Sequence, residues 1–165
     1  MGSMKKSQKG FTLIEILVVI GIIAILAAIV IIAINPARQF AQARNSQRTS
    51  NVNAILNAIG QNIADNKGIF TCPSHPYFTG TGVDVGKTAG ANIRPCIVPT
   101  YMPEIPVDPT AGSNTCVDTT PGDCATNSYD TGYTVATSST SRYTVCAPGG
   151  VEAAISGSAA ICVTR

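Results

Sequence analysis

A long apolar run near the start of the chain constrains its folding more than any other feature. The run extends from Phe11 to Ile34, and Glu15 is its only ionisable side chain. As an α-helix at about 1.5 Å per residue it reaches roughly 36 Å, enough to cross a hydrocarbon core of about 30 Å. Because lipid offers no partners for backbone polar groups, we predict a membrane-spanning helix. The alternative is a buried core helix, but core helices rarely need so long an apolar stretch.

The charges ahead of the run predict its orientation and its processing. Lys5, Lys6 and Lys9 stand before Gly10, and by the positive-inside rule they keep residues 1–10 in the cytoplasm. The domain after the run then lies outside the cytoplasm. A conventional secretory signal places its cleavage site after the apolar stretch. Here the glycine comes first, so a cut after it would remove the lysines and leave the anchor.

This order of lysines, glycine, phenylalanine and glutamate resembles the N-terminal segment of type IV prepilins, the family of pilins and secretion-system pseudopilins. The resemblance extends from Lys9 to about Ile34. It implies that a membrane-embedded prepilin peptidase cleaves between Gly10 and Phe11 and methylates the new amine of Phe11. It also implies that Glu15 attracts the N-terminal amine of a neighbouring subunit during filament assembly.

Glu15 needs a physical explanation because a carboxylate inside a bilayer is energetically costly. Cleavage after Gly10 would create a cation four residues away, at the amine of Phe11. The alternative is an acid that stays protonated, or one that interacts with N–H groups at the start of its own helix. We favour the assembly role, because an unpartnered acid here would be costly and have no other evident use.

The pattern changes at Asn35-Pro36, where the first helix is predicted to break and a second to begin. Asparagine is a good N-cap, and proline is tolerated at the first helical position. Apolar residues then recur at spacings of three and four, which indicates one face of an amphipathic helix. They are Val52, Ile55, Leu56, Ile59 and Ile63. Gly68 is suited to a left-handed C-cap that ends this helix.

Three arginines near the start of the second helix could attract lipid phosphates or nucleic acid. They are Arg38, Arg44 and Arg48. The interpretation we favour from sequence is a solvated helix segment whose charges discourage aggregation. Cleavage of the leader would remove three of the eleven basic residues. The processed chain then has eight basic and nine acidic residues, which gives it a net charge of −1. This balance does not favour nucleic acid as a general partner.

Beyond the second helix, glycine, proline, serine and threonine become frequent and the motif Tyr-Thr-Val occurs twice. Residues 132–137 and 142–147 flank a polar turn and are predicted to form a β-hairpin, with residues 160–164 as a third strand. The predicted core residues alternate along the hairpin. They are Tyr133, Val135, Tyr143 and Val145. The proline-punctuated residues 95–110 and the glycine-rich residues 80–90 are predicted to be loops.

Six cysteines in an exported domain of roughly 100 residues predict three disulfides formed in an oxidising compartment. A hydrophobic core of this size gives only marginal stability, which disulfide cross-links would increase. Six cysteines allow fifteen pairings, which sequence alone cannot distinguish. Our proposal pairs sequence neighbours: Cys72–Cys96, Cys116–Cys124 and Cys146–Cys162. A zinc site is not expected, because the chain has no CxxC pair and no cluster of cysteine with histidine.

Catalytic and cofactor-binding patterns are sparse. His75 is the only histidine and lies in a predicted loop, so a catalytic triad would depend on it alone. No glycine-rich phosphate loop follows a strand, and neither enzymatic activity nor a cofactor is expected. A calcium site stays an open alternative, because calcium prefers oxygen ligands and some pseudopilins bind it in the loops before their final strands. Aspartates in turns, however, usually stabilise the turn itself. The candidate ligands are Asp108, Asp118, Asp123 and Asp130.

These features together predict an α+β protein with a type IV pilin-like architecture. Its long N-terminal helix has a membrane half and an amphipathic half, and it packs against a small antiparallel β-sheet domain with disulfides. The predicted segments are a leader at 1–10, a transmembrane or filament-core helix at 11–34, an amphipathic continuation at 35–67 and an exported β-rich domain at 68–165.

The function implied by the resemblance is a structural pilin subunit that polymerises, after leader cleavage, into a type IV pilus-like surface filament for adhesion, motility or DNA uptake. Its implied partners are other copies of itself, minor pilins, prepilin peptidase, the inner-membrane assembly platform, membrane lipid before assembly, and DNA or a host surface. The chain would begin as a single-pass protein of the cytoplasmic membrane and end in an extracellular pilus. Two alternatives stay open: a pseudopilin of a type II secretion system, and a membrane-anchored adhesin or DNA-binding module with a pilin-like leader.

Overall fold

Helices occupy most of the first 65 residues of this computed structural model, as the apolar run and the amphipathic pattern predict. Helix α1 spans Leu13–Ile34 and helix α2 spans Pro36–Asp65. The structure describes residues 10–72, 78, 82–86, 92–114 and 129–165. The chain divides into two compact units, Met1–Gln39 and Phe40–Arg165. Most of α2 therefore belongs to the same unit as the C-terminal strands.

Both ends of α2 form where the sequence predicts them. Asn35 adopts a left-handed backbone with φ 46° and ψ 83°, and its side-chain oxygen accepts a hydrogen bond from the N–H of Arg38 at 3.4 Å. Pro36 then begins the helix, where its missing N–H is not needed. At the other end Gly68 has φ 92°, and its N–H donates to the carbonyl of Ile63 at 2.8 Å. The predicted left-handed cap is confirmed.

Five strands form one antiparallel sheet beside α2, and a single turn of helix, α3, precedes β2. The bounds are β1 Val83–Gly86, α3 Arg94–Ile97, β2 Ser113–Asn114, β3 Tyr129–Thr137, β4 Tyr143–Ala147 and β5 Ile161–Thr164. The strand order is β1-β3-β4-β5, and β2 pairs with the start of β3. In the predicted hairpin Val135 lies opposite Val145, and Val145 lies opposite Val163 on β5. The three strands predicted from sequence are confirmed.

The core of the second unit lies between α2 and the sheet. The apolar face of α2 is buried as predicted, with Ile63 only partly covered. From the hairpin, Tyr133, Val135 and Val145 are fully buried, and Tyr143 packs against the same cluster from a half-buried position. Burial of each such side chain contributes roughly 1.5–3 kcal/mol. The unit is therefore held together mainly by one helix face against one sheet face.

Two elements depart from the loops that sequence predicts. Strand β1 forms in the glycine-rich stretch. It can approach β3 closely because Gly86 has no side chain. A Cβ at Gly86 would lie 2.7 Å from the carbonyl oxygen of Tyr129, and the register shifts between Asp84 and Gly86. Helix α3 forms within the proline-rich stretch because Pro95 stands in its first turn, where proline is tolerated.

Candidate functional site

The predicted cleavage point lies just ahead of α1. Gly10 and Phe11 are exposed and belong to neither helix nor strand. A Cβ built on Gly10 would meet no neighbouring atom within 4 Å. Open backbone outside regular structure is the form that proteolytic enzymes cut most readily. No described residue covers this peptide bond at Gly10, and cleavage and methylation at Gly10–Phe11 stay predictions.

The start of α1 brings Thr12 and Glu15 into one local motif. Thr12 is the N-cap residue, and its hydroxyl accepts a hydrogen bond from the backbone N–H of Glu15 at 3.3 Å. The order Thr-x-x-Glu is the capping-box pattern of a helix N-terminus. The carboxylate of Glu15 has no hydrogen bond or ion pair among the described residues. It is therefore available to a partner outside the described chain.

The apolar surface of α1 has no cover within the described parts of the chain. None of its residues is buried. Among the described helices, α1 alone is long and apolar enough to cross a membrane. Large exposed apolar surfaces in proteins mark contacts with membranes or with other proteins. The exposed apolar surface of α1 therefore suits contact with lipid or with another protein surface.

Comparison with known families decides the nature of this segment. Residues 5–33 match the prokaryotic N-terminal methylation motif. The chain carries the leader signature of type IV pilins and pseudopilins. The match includes Gly10, Phe11 and Glu15 together with nearly all of α1. No curated protein and no solved structure matches the chain.

The folded unit contains an ion cluster formed by Arg44, Arg48, Asp108 and Glu152. Arg48 and Asp108 have no exposed side-chain surface. The Arg48 Nε donates to Asp108 Oδ2 at 2.6 Å, and its Nη2 donates to Oδ1 at 3.1 Å. Its remaining nitrogen, Nη1, donates to Glu152 Oε1 at 2.5 Å. The guanidinium thus binds two carboxylates that are far away along the chain.

The pKa values of Arg48 and of its acidic partners are strongly shifted from their usual values. Burial opposes ionisation of Asp108, but hydrogen bonds from Arg48 and Thr110 outweigh it and hold the pKa of Asp108 well below its usual range. Hydrogen bonding to Asp108 raises the pKa of Arg48 despite its burial. Hydrogen bonds from Arg44 and then Arg48 lower the pKa of Glu152 to about 2. All members of the cluster are therefore charged at neutral pH.

The cluster joins α2 to the segment that follows β4. Arg44 binds Glu152 through two bonds of 2.7 and 2.6 Å. The side-chain amide of Asn45 donates to the carbonyl of Gly150 at 3.1 Å. Within this segment, Ser158 accepts from the N–H of Glu152 at 2.8 Å and donates back to its carbonyl at 2.9 Å. The loop after β4 is therefore fixed to the first turns of α2 by side chains and by its own backbone.

The interpretation of the three arginines as solvated charges is wrong for Arg48, which is buried, whereas Arg38 is exposed as expected and Arg44 is half-buried and paired with Glu152. The sequence contained a signal against it at Arg48. Arg48 lies four residues before Val52 and seven before Ile55, so it belongs to the face of α2 that the apolar residues define. An arginine on an apolar face predicts a buried acidic partner. The identity of that partner could not be predicted, because Asp108 lies 60 residues further along the chain.

Two of the four calcium candidates, Asp108 and Asp130, lie among the described residues, and both are engaged by other groups. Asp108 is occupied by Arg48, and its Oδ1 also accepts the N–H groups of Thr110 at 2.8 Å and Ala111 at 2.9 Å. Asp130 is exposed and accepts the N–H of Gly132 at 2.9 Å, a local turn bond. No group of three or more candidate metal ligands occurs among the described residues. Asp118 and Asp123 lie outside the described residues, as does His75.

Two disulfides join cysteines within the described part of the folded unit. Cys72 is bonded to Cys96 with both residues buried, and Asn62 of α2 donates to the carbonyl of Cys96 at 3.1 Å beside them. Cys146 is bonded to Cys162, its register partner across β4 and β5, where Cys162 is exposed. Both bonds join the sequence neighbours that we paired. The third proposed pair, Cys116–Cys124, lies outside the described residues.

Proposed function

We propose that this protein is a structural subunit of a type IV pilus-like filament. Prepilin peptidase removes residues 1–10 and methylates Phe11, and the chain then waits in the cytoplasmic membrane with its folded unit outside. Assembly transfers α1 from lipid into a bundle of α1 helices from other copies. Minor pilins and an inner-membrane assembly platform are the partners that this process requires.

The observation that carries this proposal is the methylation motif on a helix whose apolar surface is uncovered. Residues 5–33 supply the motif, and none of the residues of α1 is buried. A helix that leaves lipid for a protein bundle gains little classical hydrophobic energy, so packing and polar pairing must guide it. The free carboxylate of Glu15 and the amine of a processed Phe11 would form such a polar pair between subunits.

The motif is shared by pilins and pseudopilins, and both are structural rather than catalytic proteins. A pseudopilin of a type II secretion system is therefore the second candidate function. One observation argues against the remaining alternative, a membrane-anchored DNA-binding module. Two of the three arginines that could contact phosphates, Arg44 and Arg48, bind Glu152 and Asp108 instead. Long surface fibres containing this chain would separate the pilin from the pseudopilin.

Replacement of Glu15 tests the assembly step. Glu15→Gln keeps the shape of the side chain and removes its charge, so the pair with the neighbouring amine is lost. We expect normal membrane insertion and leader removal, with filament yield reduced by at least about tenfold. The readouts are electron microscopy of cell-surface fibres and immunoblotting of the processed chain.

Thr12→Ala is the matched control for Glu15→Gln. It removes the capping hydroxyl of α1 but retains the acid, so filament yield should stay close to that of the wild type. If capping of α1 were the role of this motif, Thr12→Ala would lower the yield, and Glu15→Gln, which keeps both the capping hydroxyl and a side chain suited to a capping box, would not. Filaments at wild-type yield from Glu15→Gln would contradict the assembly role of the carboxylate.

A further inference from the structure

The two disulfides of the described part of the folded unit differ in their access to solvent. Cys72 and Cys96 are each only 7% exposed and belong to the hydrophobic core. Cys162, in contrast, is exposed, and its partner Cys146 is half-buried. Thiol–disulfide exchange requires a thiolate to reach one of the two sulfurs. A thiol in solution can therefore reach one disulfide of the folded protein, whereas the other requires the core to open.

The alternation of side chains along the last two strands explains why Cys162 is exposed. On β5, Ile161 and Val163 pack against the core, so Cys162 between them belongs to the opposite face of the sheet. On β4, Cys146 lies directly opposite Cys162 and is likewise flanked by two buried residues. The disulfide therefore lies on the face of the sheet that is directed away from the core.

The position of β5 in the sheet distinguishes the two sulfurs of this disulfide. Strand β5 is an edge strand among the described strands, so Cys162 has β4 on one side and no described strand on the other. Cys146 has β5 on one side and Thr134 of β3 in register on the other. An attacking thiolate approaches a sulfur from the side opposite the sulfur that leaves. That side is the open edge for Cys162 and the neighbouring strand for Cys146.

The residues that flank the disulfide on this face are polar and uncharged. Thr144 lies two residues before Cys146, and Thr164 lies two residues after Cys162. Their hydroxyl oxygens are 2.8 Å apart and share a hydrogen bond across the two strands. A thiolate is an anion, and an acidic side chain beside the disulfide would repel it. None of these flanking positions carries one.

We propose that Cys162 is the site at which this protein exchanges a disulfide with external thiols. The thiolate of the reagent attacks Sγ of Cys162 and forms a mixed disulfide with it, and Cys146 leaves as a thiolate that takes up a proton. If the reagent is a dithiol, its second thiolate attacks the mixed disulfide. That step releases Cys162 as a thiol and leaves the reagent as a cyclic disulfide, so the dithiol supplies both electrons. This inference goes beyond the proposed function and does not depend on filament assembly.

Opening of this disulfide loosens β5 and leaves the core closed. Strand β5 makes four register pairs with β4 and pairs with no other described strand. Short edge strands open locally at a lower free energy than the core elements of a protein. The Cys72–Cys96 bond and the apolar face of α2 lie within the core and are not part of this change. Exchange at Cys162 is therefore a thiol-sensitive control of the last strand.

Reduced glutathione, a monothiol, is the probe that identifies the attacked sulfur. The full-length protein in detergent is incubated with glutathione at about pH 8, where part of the thiol is ionised. Free thiols are then blocked with iodoacetamide, and the protein is digested with trypsin without reduction. Residues 143–165 form one tryptic peptide that contains both cysteines, so its fragmentation locates each modification. We expect glutathione on Cys162 and the alkyl group on Cys146.

The buried disulfide is the internal control of this experiment. Cys72–Cys96 should open at least about tenfold more slowly than Cys146–Cys162. Glutathione found mainly on Cys146 would overturn the choice of sulfur. Equal opening rates of the two disulfides, or no exchange before the protein unfolds, would overturn the whole proposal. Because the protein is not assembled here, each of these failures leaves the proposed function unaffected.

Hydrogen–deuterium exchange measures the loosening of β5. In the double variant Cys146→Ser and Cys162→Ser, the amides of residues 161–165 should exchange at least about tenfold faster than in the wild type. The amides of residues 52–63 in α2 should keep their protection. Thr144→Val is the matched control, because it removes the hydroxyl bond between the same two strands but keeps the disulfide. Its exchange at residues 161–165 should change by less than about threefold, and unchanged exchange in the double variant would contradict the control of β5 by this disulfide.

Discussion

Two charged side chains in apolar surroundings show opposite solutions to the same physical problem. Arg48 is buried, and the folded unit provides its partners, Asp108 and Glu152. Glu15 lies on an apolar helix, and the described residues provide no partner for its carboxylate. A buried ion pair serves the fold of a single chain. We propose that the acid on α1, which has no partner among the described residues, serves a contact that forms only between chains.

Loss of Arg48 should destabilise the folded unit strongly. Arg48→Ala would leave the carboxylate of Asp108 buried without its counter-ion, and broken buried pairs typically cost about 3–5 kcal/mol. The exposed Arg38 is the control, since Arg38→Ala should change the free energy of unfolding by less than about 0.5 kcal/mol. Denaturant unfolding of the full-length protein in detergent, followed by tyrosine signals, measures both. Equal midpoints for Arg48→Ala and the wild type would show that the ion pair is not needed for stability.

The acidic members of the cluster predict how stability responds to pH. The pKa of Glu152 is lowered from 4.5 to about 2 in the folded protein, so its contribution is present above the unfolded value and is lost as pH falls towards 2. Asp108 acts in the same direction, with its loss at still lower pH. We therefore expect the free energy of unfolding to decrease as pH is lowered from about 4.5 to 2. Glu152→Gln should flatten this decrease, and an unaltered pH profile in that variant would contradict the assignment.

At the scale of elements, local patterns determined what could be predicted. The break at Asn35, the left-handed end at Gly68 and the hairpin after residue 132 all follow from residues close in sequence. Strand β1 was missed because its pairing depends on Gly86 meeting the backbone of β3, a contact between distant segments. The ion cluster was not predicted because its acidic members are distant in sequence from α2. The position of Arg48 on the apolar face did indicate that this arginine would be buried and paired.

Glycines in different elements should respond oppositely to the same substitution. A Cβ at Gly112 would lie 2.2 Å from Val107 Cγ1 and 2.6 Å from the carbonyl oxygen of Thr131, so Gly112→Ala should cost about 1–3 kcal/mol. Gly60, inside α2, has nothing within 4 Å of its Cβ position. Gly60→Ala should stabilise the protein by up to about 1 kcal/mol. Thermal unfolding of both variants measures this contrast, and a shift of the same sign in both would contradict the packing around Gly112.

At the scale of the whole molecule, the two compact units differ in how they become stable. Residues of the second unit bury a core between α2 and the sheet and bond it with two disulfides. Helix α1 in the first unit buries nothing by itself. The need of α1 for an apolar environment could be predicted from sequence, because Glu15 is its only polar side chain.

Mass spectrometry of the N-terminus of the native, membrane-associated protein tests the central claim most directly. The account predicts a mature chain that begins at Phe11, carries one added methyl group on its α-amine, and lacks Lys5, Lys6 and Lys9. Gly10→Ala should abolish this product and leave the lysine-bearing head attached. A native protein that retains residues 5–10, or one cleaved after the apolar helix instead, would contradict the account.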